Sequence, residues 1–459
     1  MIYIQRTVLP LLFLVAAPAA LAENANQDFI ATQLKSSSAQ DEATGLIAGQ
    51  SLSGSTKNFL SKEQTDRETT FFIKKNGSPP QTTDRRDTWV QGTILDYRSG
   101  FTQGAFGLGV EMAVYNAIAL EQGKGRIAGG GNRTLTDSDG NAVDQWSKLG
   151  LANVKARVSN STLTVGRQDM LTPMIANNTN RALPSSFEGV NLNSAEFNNL
   201  SFDLGAFDKV SPRSEQSTTK IVSEYGNRGV SSDEAYIAGA TYTPTKSLKT
   251  SVYSTQVEDF WNQYYFGFAH SAGDRATLAL NTSFNYYKTT DQGSAKMGPI
   301  DNDAYSLSLK MSHGAHGLLF AWQQINGNEY FDYIHESKGT ALANSFLSNY
   351  NGPNEKSVQL AYLLDTAPYG LPGFTLYLYN VRGWGIDGTH YQGSSYNARK
   401  LDGEKHQESG LLTSYTVQSG ALKSSTFQAG YVAHRATPNE IDGSVKEFRM
   451  VTMIPFNVF

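Results

Sequence analysis

The chain has 459 residues, with 38 Lys+Arg against 42 Asp+Glu for a net charge of −4, no cysteine, 23 Tyr, 23 Phe and 42 Gly. This mild acidity argues against a nucleic-acid partner, and the lack of cysteine excludes disulfide stapling and thiolate metal centres. Past the N-terminus no apolar run is long enough for a membrane helix. Contact with lipid, if any, therefore falls to short strands that alternate apolar and polar residues.

Residues 1–22 read as a secretory signal: Arg6, an apolar run from Val8 to Ala17, and the small-x-small pattern Ala20-Leu21-Ala22 before Glu23. The remaining 23–459 read as one domain, with a polar lead-in over 23–48 and no break in style afterwards. Phe106, Leu108, Val110, Met112 and Val114 alternate with Gly107, Gly109, Glu111 and Ala113, which is a strand period. Ala152, Val154, Ala156 and Val158 repeat it, with Lys155 and Arg157 on the opposite face. Strands follow around Leu200–Ala206, Tyr264–Phe268, Leu278–Tyr286 and Leu307–Met311. Tight connections (Ser159-Asn160, Asn198-Asn199, Ser419-Gly420) alternate with long ones (121–148, 326–356, 383–405). The expected fold is all-β: a transmembrane antiparallel β-barrel of about 18 strands with inward-folded constriction loops, short turns periplasmic and long loops outside.

The final strand, Glu447 to Phe459, closes this barrel on the first, which carries Lys57. Phe448, Met450, Ile454 and Phe456 face lipid and Arg449 faces the channel, and a bulge at Pro455 is expected to restore the terminal Phe459 to the lipid face. Trp89, Tyr97, Trp146, Trp261, Tyr286, Tyr287, Trp322 and Trp384 fall near strand ends, where interfacial girdles form. The stretch Asp169–Gly189 is too apolar and Pro-containing for a loop in open water. An inward fold would pack Leu183 and Phe187 on the wall and turn Arg181 and Glu188 to the aperture. Lumen cations would raise the local concentration of anions. His313 and His316 have metal spacing but no third ligand, and no Ser/His/Asp set assembles, so no cofactor is expected.

The chain resembles the OprD family of substrate-specific outer-membrane porins. The resemblance rests on Ser99-Gly100-Phe101-Thr102-Gln103-Gly104, Arg181–Gly189, Glu258-Asp259 with Gln263-Tyr264-Tyr265, Phe331-Asp332-Tyr333-Ile334, 351–357, Ile386-Asp387-Gly388-Thr389, Val417-Gln418-Ser419-Gly420 and Glu447-Phe448-Arg449. It implies a basic ladder of Lys57, Lys155, Arg157, Arg181, Arg435 and Arg449 opposite an acidic side and pocket of Asp259, Tyr264 and Asp332, with loops 169–188 and 326–356 folded inward. Tyr379, Gln428 and Gly430 stand where ladder arginines are expected, which favours a less anionic or an aromatic solute. The implied function is a passive porin of the Gram-negative outer membrane for small carboxylates or amino acids. Its partners would be small-molecule solutes and outer-membrane lipid, and it would be a monomer or weak homotrimer. The other classes open to such a chain are an outer-membrane barrel enzyme and a plugged structural or adhesive barrel.

Overall fold

The computed structural model describes residues 34–66, 71–73, 81–121, 135, 137 and 143–459; the expected signal, 1–22, lies outside them. Apart from a hairpin (Phe71–Ile73 with Gln81–Thr83) and the two-residue Thr219–Lys220 ladder, eighteen strands make up the architecture. In chain order they are Ser51–Thr65, Arg85–Arg98, Gly107–Glu121, Gln145–Val158, Ser161–Gln168, Ser186–Ser194, Leu200–Ser211, Ala235–Thr245 and Leu248–Val257. Then follow Trp261–Asp274, Leu278–Asp291, Asp301–His313, His316–Asn326, Lys356–Asp365, Phe374–Asp387, Asp402–Thr416, Thr426–Ala436 and Val445–Asn457. Each pairs antiparallel with its chain neighbours, and the last pairs with the first from Ser53↔Asn457 to Thr65↔Val445, so the sheet closes and leaves no edge.

The period-two pattern sets inside from outside. Val110, Met112 and Val114 are 40–49% exposed on the lipid-facing side, whereas Glu111, Ala113 and Tyr115 are at most 6% exposed inside. Connections 159–160, 246–247, 275–277 and 314–315 share one rim, together with the lead-in, where the Gln40 N–H donates to the Ser159 carbonyl at 3.1 Å. The long connections 169–185, 212–234, 327–355 and 388–401 share the other rim.

Two expectations require correction. Pairing runs without interruption through Ser55↔Pro455, so there is no bulge. The Val458 N–H donates to Leu52, and antiparallel alternation then turns position 455's nitrogen away from the first strand, toward a neighbour whose pairing has already ended at Thr426↔Met453. Proline's missing donor therefore costs no ladder bond. The girdle holds only in part. Trp322 packs edge-on against Trp384 at 5.7 Å on the outer face, but Trp146, Trp261 and Tyr287 are buried inside, because inward loops supply them with apolar partners such as Leu135, Phe260 and Phe331.

A loop-narrowed lumen as the candidate functional site

Loop 169–185 leaves the strand Ser161–Gln168 and enters the barrel. Ala182 and Leu183 pack in one buried cluster with Phe59, Val90, Tyr115 and Leu151 of the inner wall. Burying a leucine this fully contributes about 1.5–3 kcal/mol, enough to hold a loop that makes few backbone ladders. The Lys57 ammonium donates to the carbonyls of Thr179 at 2.8 Å and Arg181 at 2.6 Å. Gly92 leaves room for the approach: a Cβ there would sit 2.7 Å from the Ala182 carbonyl oxygen. Gly92→Ala is therefore expected to lift this loop and raise single-channel conductance; an unchanged conductance would mean that the loop does not set the bore.

Loop 327–355 meets it from the opposite wall. Ala176 N–H donates to Ser337 Oγ (3.2 Å), Lys338 N–H to Ala176 O (2.9 Å) and Ser185 Oγ to Glu336 O (2.7 Å). Arg213 clamps the junction, with Nε 2.6 Å and Nη2 3.1 Å from the two oxygens of Glu336, and it also donates to Asn180. Met170–Asn180 and Thr340–Leu347 thus border one continuous lumen of about 2270 Å³.

Among the described residues, nine Lys/Arg and seven Asp/Glu side chains line that lumen, so the positive excess they contribute is small. Most of the cations are already paired. Lys155 lies 2.7 Å from Glu111, which also takes Arg98 at 2.8 Å; Arg449 forks onto Glu447 at 2.7 and 2.8 Å; Arg86 meets Glu63 and Arg275 meets Asp365. Among the described residues, the lining cations without an ion pair are Arg157, Arg181, Lys310 and Lys338. Arg157 lies over the Phe101 ring at 3.8 Å and donates to Gln40. Across the lumen Phe346 stacks on Tyr379 at 4.3 Å with Tyr377 beside it, and the Tyr379 hydroxyl donates to Glu408 at 2.5 Å.

Of the residues expected in the site, Lys155, Arg157, Arg181 and Arg449 converge on the lumen, and Tyr379, Gln428 and Gly430 face inward as well. The others lie elsewhere. Lys57 is an anchor whose donors go to loop carbonyls. Arg435 is exposed on the parity of Tyr431, the outer face. Glu188 shares the outward parity of Val190 and pairs with Arg167 and Lys209. Tyr264 is half exposed on the lipid-facing row with Phe266, while Tyr265 is the inward neighbour. Asp259 caps a rim turn beside Lys296 at 2.9 Å. Asp332 is buried beneath the loops, its Oδ1 accepting from the N–H groups of Glu224, Tyr225 and Tyr333 at 2.8–3.2 Å. Burial pushes the Asp332 carboxyl up to about 6. An acid raised in this way destabilises the fold as pH climbs through its folded value, so Asp332→Asn, which keeps the three acceptor bonds, is expected to slow proteolysis of 327–355 at pH 8 and not at pH 4.

A family model described as outer membrane porin, OprD family, matches residues 44–458. Porin D of Pseudomonas aeruginosa is 33% identical over 435 residues, covering 91% of this chain and 93% of its own. The crystal structure of Pseudomonas aeruginosa OccD3 (OpdP) is 42% identical and superposes with a TM-score of 0.80 over 95% of this chain and 97% of that one. Pseudomonas aeruginosa OprD is 30% identical, with a TM-score of 0.75 over 92% and 98%.

Proposed function

Because the chain belongs to the OprD family of outer-membrane porins, we propose that it is a passive, substrate-selective channel for small water-soluble carboxylates and amino acids. The observation that carries this reading is the set of cations without an ion pair among the described lining residues, Arg157, Arg181, Lys310 and Lys338, along a lumen whose other five cations are each held by an acid. Free cations attract a carboxylate, and acids of the same lining such as Asp203 and Asp274 accept an ammonium group. A zwitterion or monocarboxylate therefore suits the lumen better than a polyanion, and the Phe346–Tyr377–Tyr379 face offers contact to an apolar side chain. Fixed donors of this kind guide a solute without holding it, which is what conduction requires. No energy source is needed beyond the gradient.

Swelling of liposomes carrying the protein, measured with amino acids, monocarboxylates, dicarboxylates and neutral sugars, tests the preference; equal rates for sugars and carboxylates of the same size would overturn it. Lys155→Ala with Arg157→Ala is expected to lower the anion-to-cation permeability ratio several-fold while leaving an open pore, since Arg98 still compensates Glu111. Residues 1–22 are assigned to export, and N-terminal sequencing of the mature protein should begin at Glu23.

A further inference from the structure

Where the outer ends of the strands Asp402–Thr416 and Thr426–Ala436 meet loop 437–444, three buried side chains converge. One ligand atom from each of His406, His434 and Glu440 lies within 4.8 Å of the other two, and the residues are 3%, 1% and 8% exposed. They lie outside the lumen lining and have no part in the channel described above.

Hydrogen bonding on the far side of each ring fixes the tautomers. His434 Nδ1 faces the Gly443 carbonyl at 2.5 Å, which can only accept, so Nδ1 bears the proton and Nε2 presents a lone pair. His406 Nε2 lies 2.6 Å from Glu355 Oε1, whose other oxygen already accepts the Gly352 N–H at 2.8 Å, so this nitrogen is the donor and His406 Nδ1 is the nitrogen turned toward His434. His406 Nδ1 and His434 Nε2 face each other at 2.9 Å, so a positive centre, either a metal ion or the second proton of a cationic His406, lies between them. Glu440 aims at the same point: its Oε2 accepts the Asp442 and Gly443 N–H groups at 3.0 Å each, leaving Oε1 3.9 Å from His406 Nδ1.

We propose that His406, His434 and Glu440 bind a divalent transition-metal ion of the zinc type. Two imidazole nitrogens and one carboxylate oxygen form a donor set that suits zinc, and bonds near 2.0–2.1 Å require donor separations of roughly 3.3 Å, which lies between the 2.9 Å from His406 to His434 and the 3.9 Å from His406 to Glu440. Each imidazole donates its other N–H outward, to a carboxylate and to a backbone carbonyl, the outer support that ligating histidines need. Ser348 Oγ, 3.3 Å from His406 Nδ1 and 2.6 Å from Asp442, stands next to the fourth position. Ser348 follows directly on Ser345–Leu347, which border the lumen, and Tyr350 packs on the His406 ring at 4.2 Å. An ion here would tie loops 327–355 and 437–444 to the barrel wall and stiffen the channel mouth.

The test uses the full protein in detergent, stripped with EDTA, equilibrated with zinc chloride and passed through a desalting column before metal analysis. The wild type should retain one zinc ion per chain, and cobalt(II) in its place should give the intense visible absorption of a four-coordinate site. His434→Gln and Glu440→Gln should each weaken zinc binding about tenfold or more, with heat-modifiable gel migration showing that each variant is folded. Two variants guard against the misfolding of one. A wild type that retains no zinc would overturn the site, leaving a shared proton as the positive centre, and so would folded variants that bind zinc as the wild type does.

Discussion

Arg213→Ala should unlock the narrowed lumen and weaken the loop junction by about 3–5 kcal/mol, the usual cost of removing one partner of a buried ion pair. Glu336 is 2% exposed and takes three donors from Arg213, the backbone N–H included, so truncation removes the guanidinium and leaves the carboxylate between the two loops with the backbone N–H and His335, 3.6 Å away. Burial alone would raise the Glu336 carboxyl, but Arg213 outweighs it and holds the group well below the usual carboxylate range. A depressed folded value means that the clamp's contribution is complete above the unfolded value, about 4.3, and is lost as pH falls through the folded one. In Arg213→Ala the sign reverses: burial then raises Glu336, so the junction is weak at neutral pH and recovers on acidification. Asp332, raised to about 6, adds a background of that second sign to both proteins, so the comparison is between variant and wild type at each pH. Single-channel recording at pH 7 should show a larger and noisier conductance in the variant, moving toward the wild-type level at pH 4. Identical traces at pH 7 would show that Arg213 does not hold the loops, and Glu336→Gln, which removes the charge and keeps the shape, checks the same clamp from its other side.

The barrel was legible because closure and alternation are properties of the sequence pattern. Val110, Met112 and Val114 could not all face a core while Glu111 and Lys155 faced lipid, and the terminal strand needed a partner. Leu183 was legible for the same reason, since an apolar residue in a loop has to find a wall. What failed was the assignment of individual polar residues. Arg435 shares the parity of Tyr431, and Tyr264 that of Phe266 and Phe268, so the strand pattern already placed both outside; positional resemblance misled there. Lys57 and Asp332 could not be resolved by any pattern. Each is a charge on an inward or buried position, and only the folded loops reveal that its partners are backbone groups rather than solutes. Pro455 looked like a defect because a lone strand does not show which nitrogens face a neighbour. The convergence of His406, His434 and Glu440 draws on two strands and a loop, so no local spacing announces it.

Arg181→Glu should invert the charge preference of the channel. Arg181 lies on the loop that narrows the lumen, its backbone fixed by Lys57, and has no ion-pair partner among the described residues. Its field adds to those of the neighbouring Arg213, Arg86 and Arg449, two of which line the same lumen. The substitution changes the local charge by two units. At 4 Å in bulk water each unit is worth about 1 kcal/mol, so a two-unit change amounts to about 2 kcal/mol and the anion-to-cation ratio should fall at least on the order of 10–100-fold. The reversal potential in a salt gradient reads this directly and should change sign. Arg435→Gln provides the control, because it removes a cation from the outer face, where no solute passes, and should leave the reversal potential unmoved. If Arg181→Glu leaves the potential at the wild-type value, or Arg435→Gln shifts it as far, then selectivity does not arise at the narrowed lumen. A shift confined to Arg181 would instead mean that one loop, held by Lys57 beneath and by Arg213 beside it, sets both the bore and the sign of the channel.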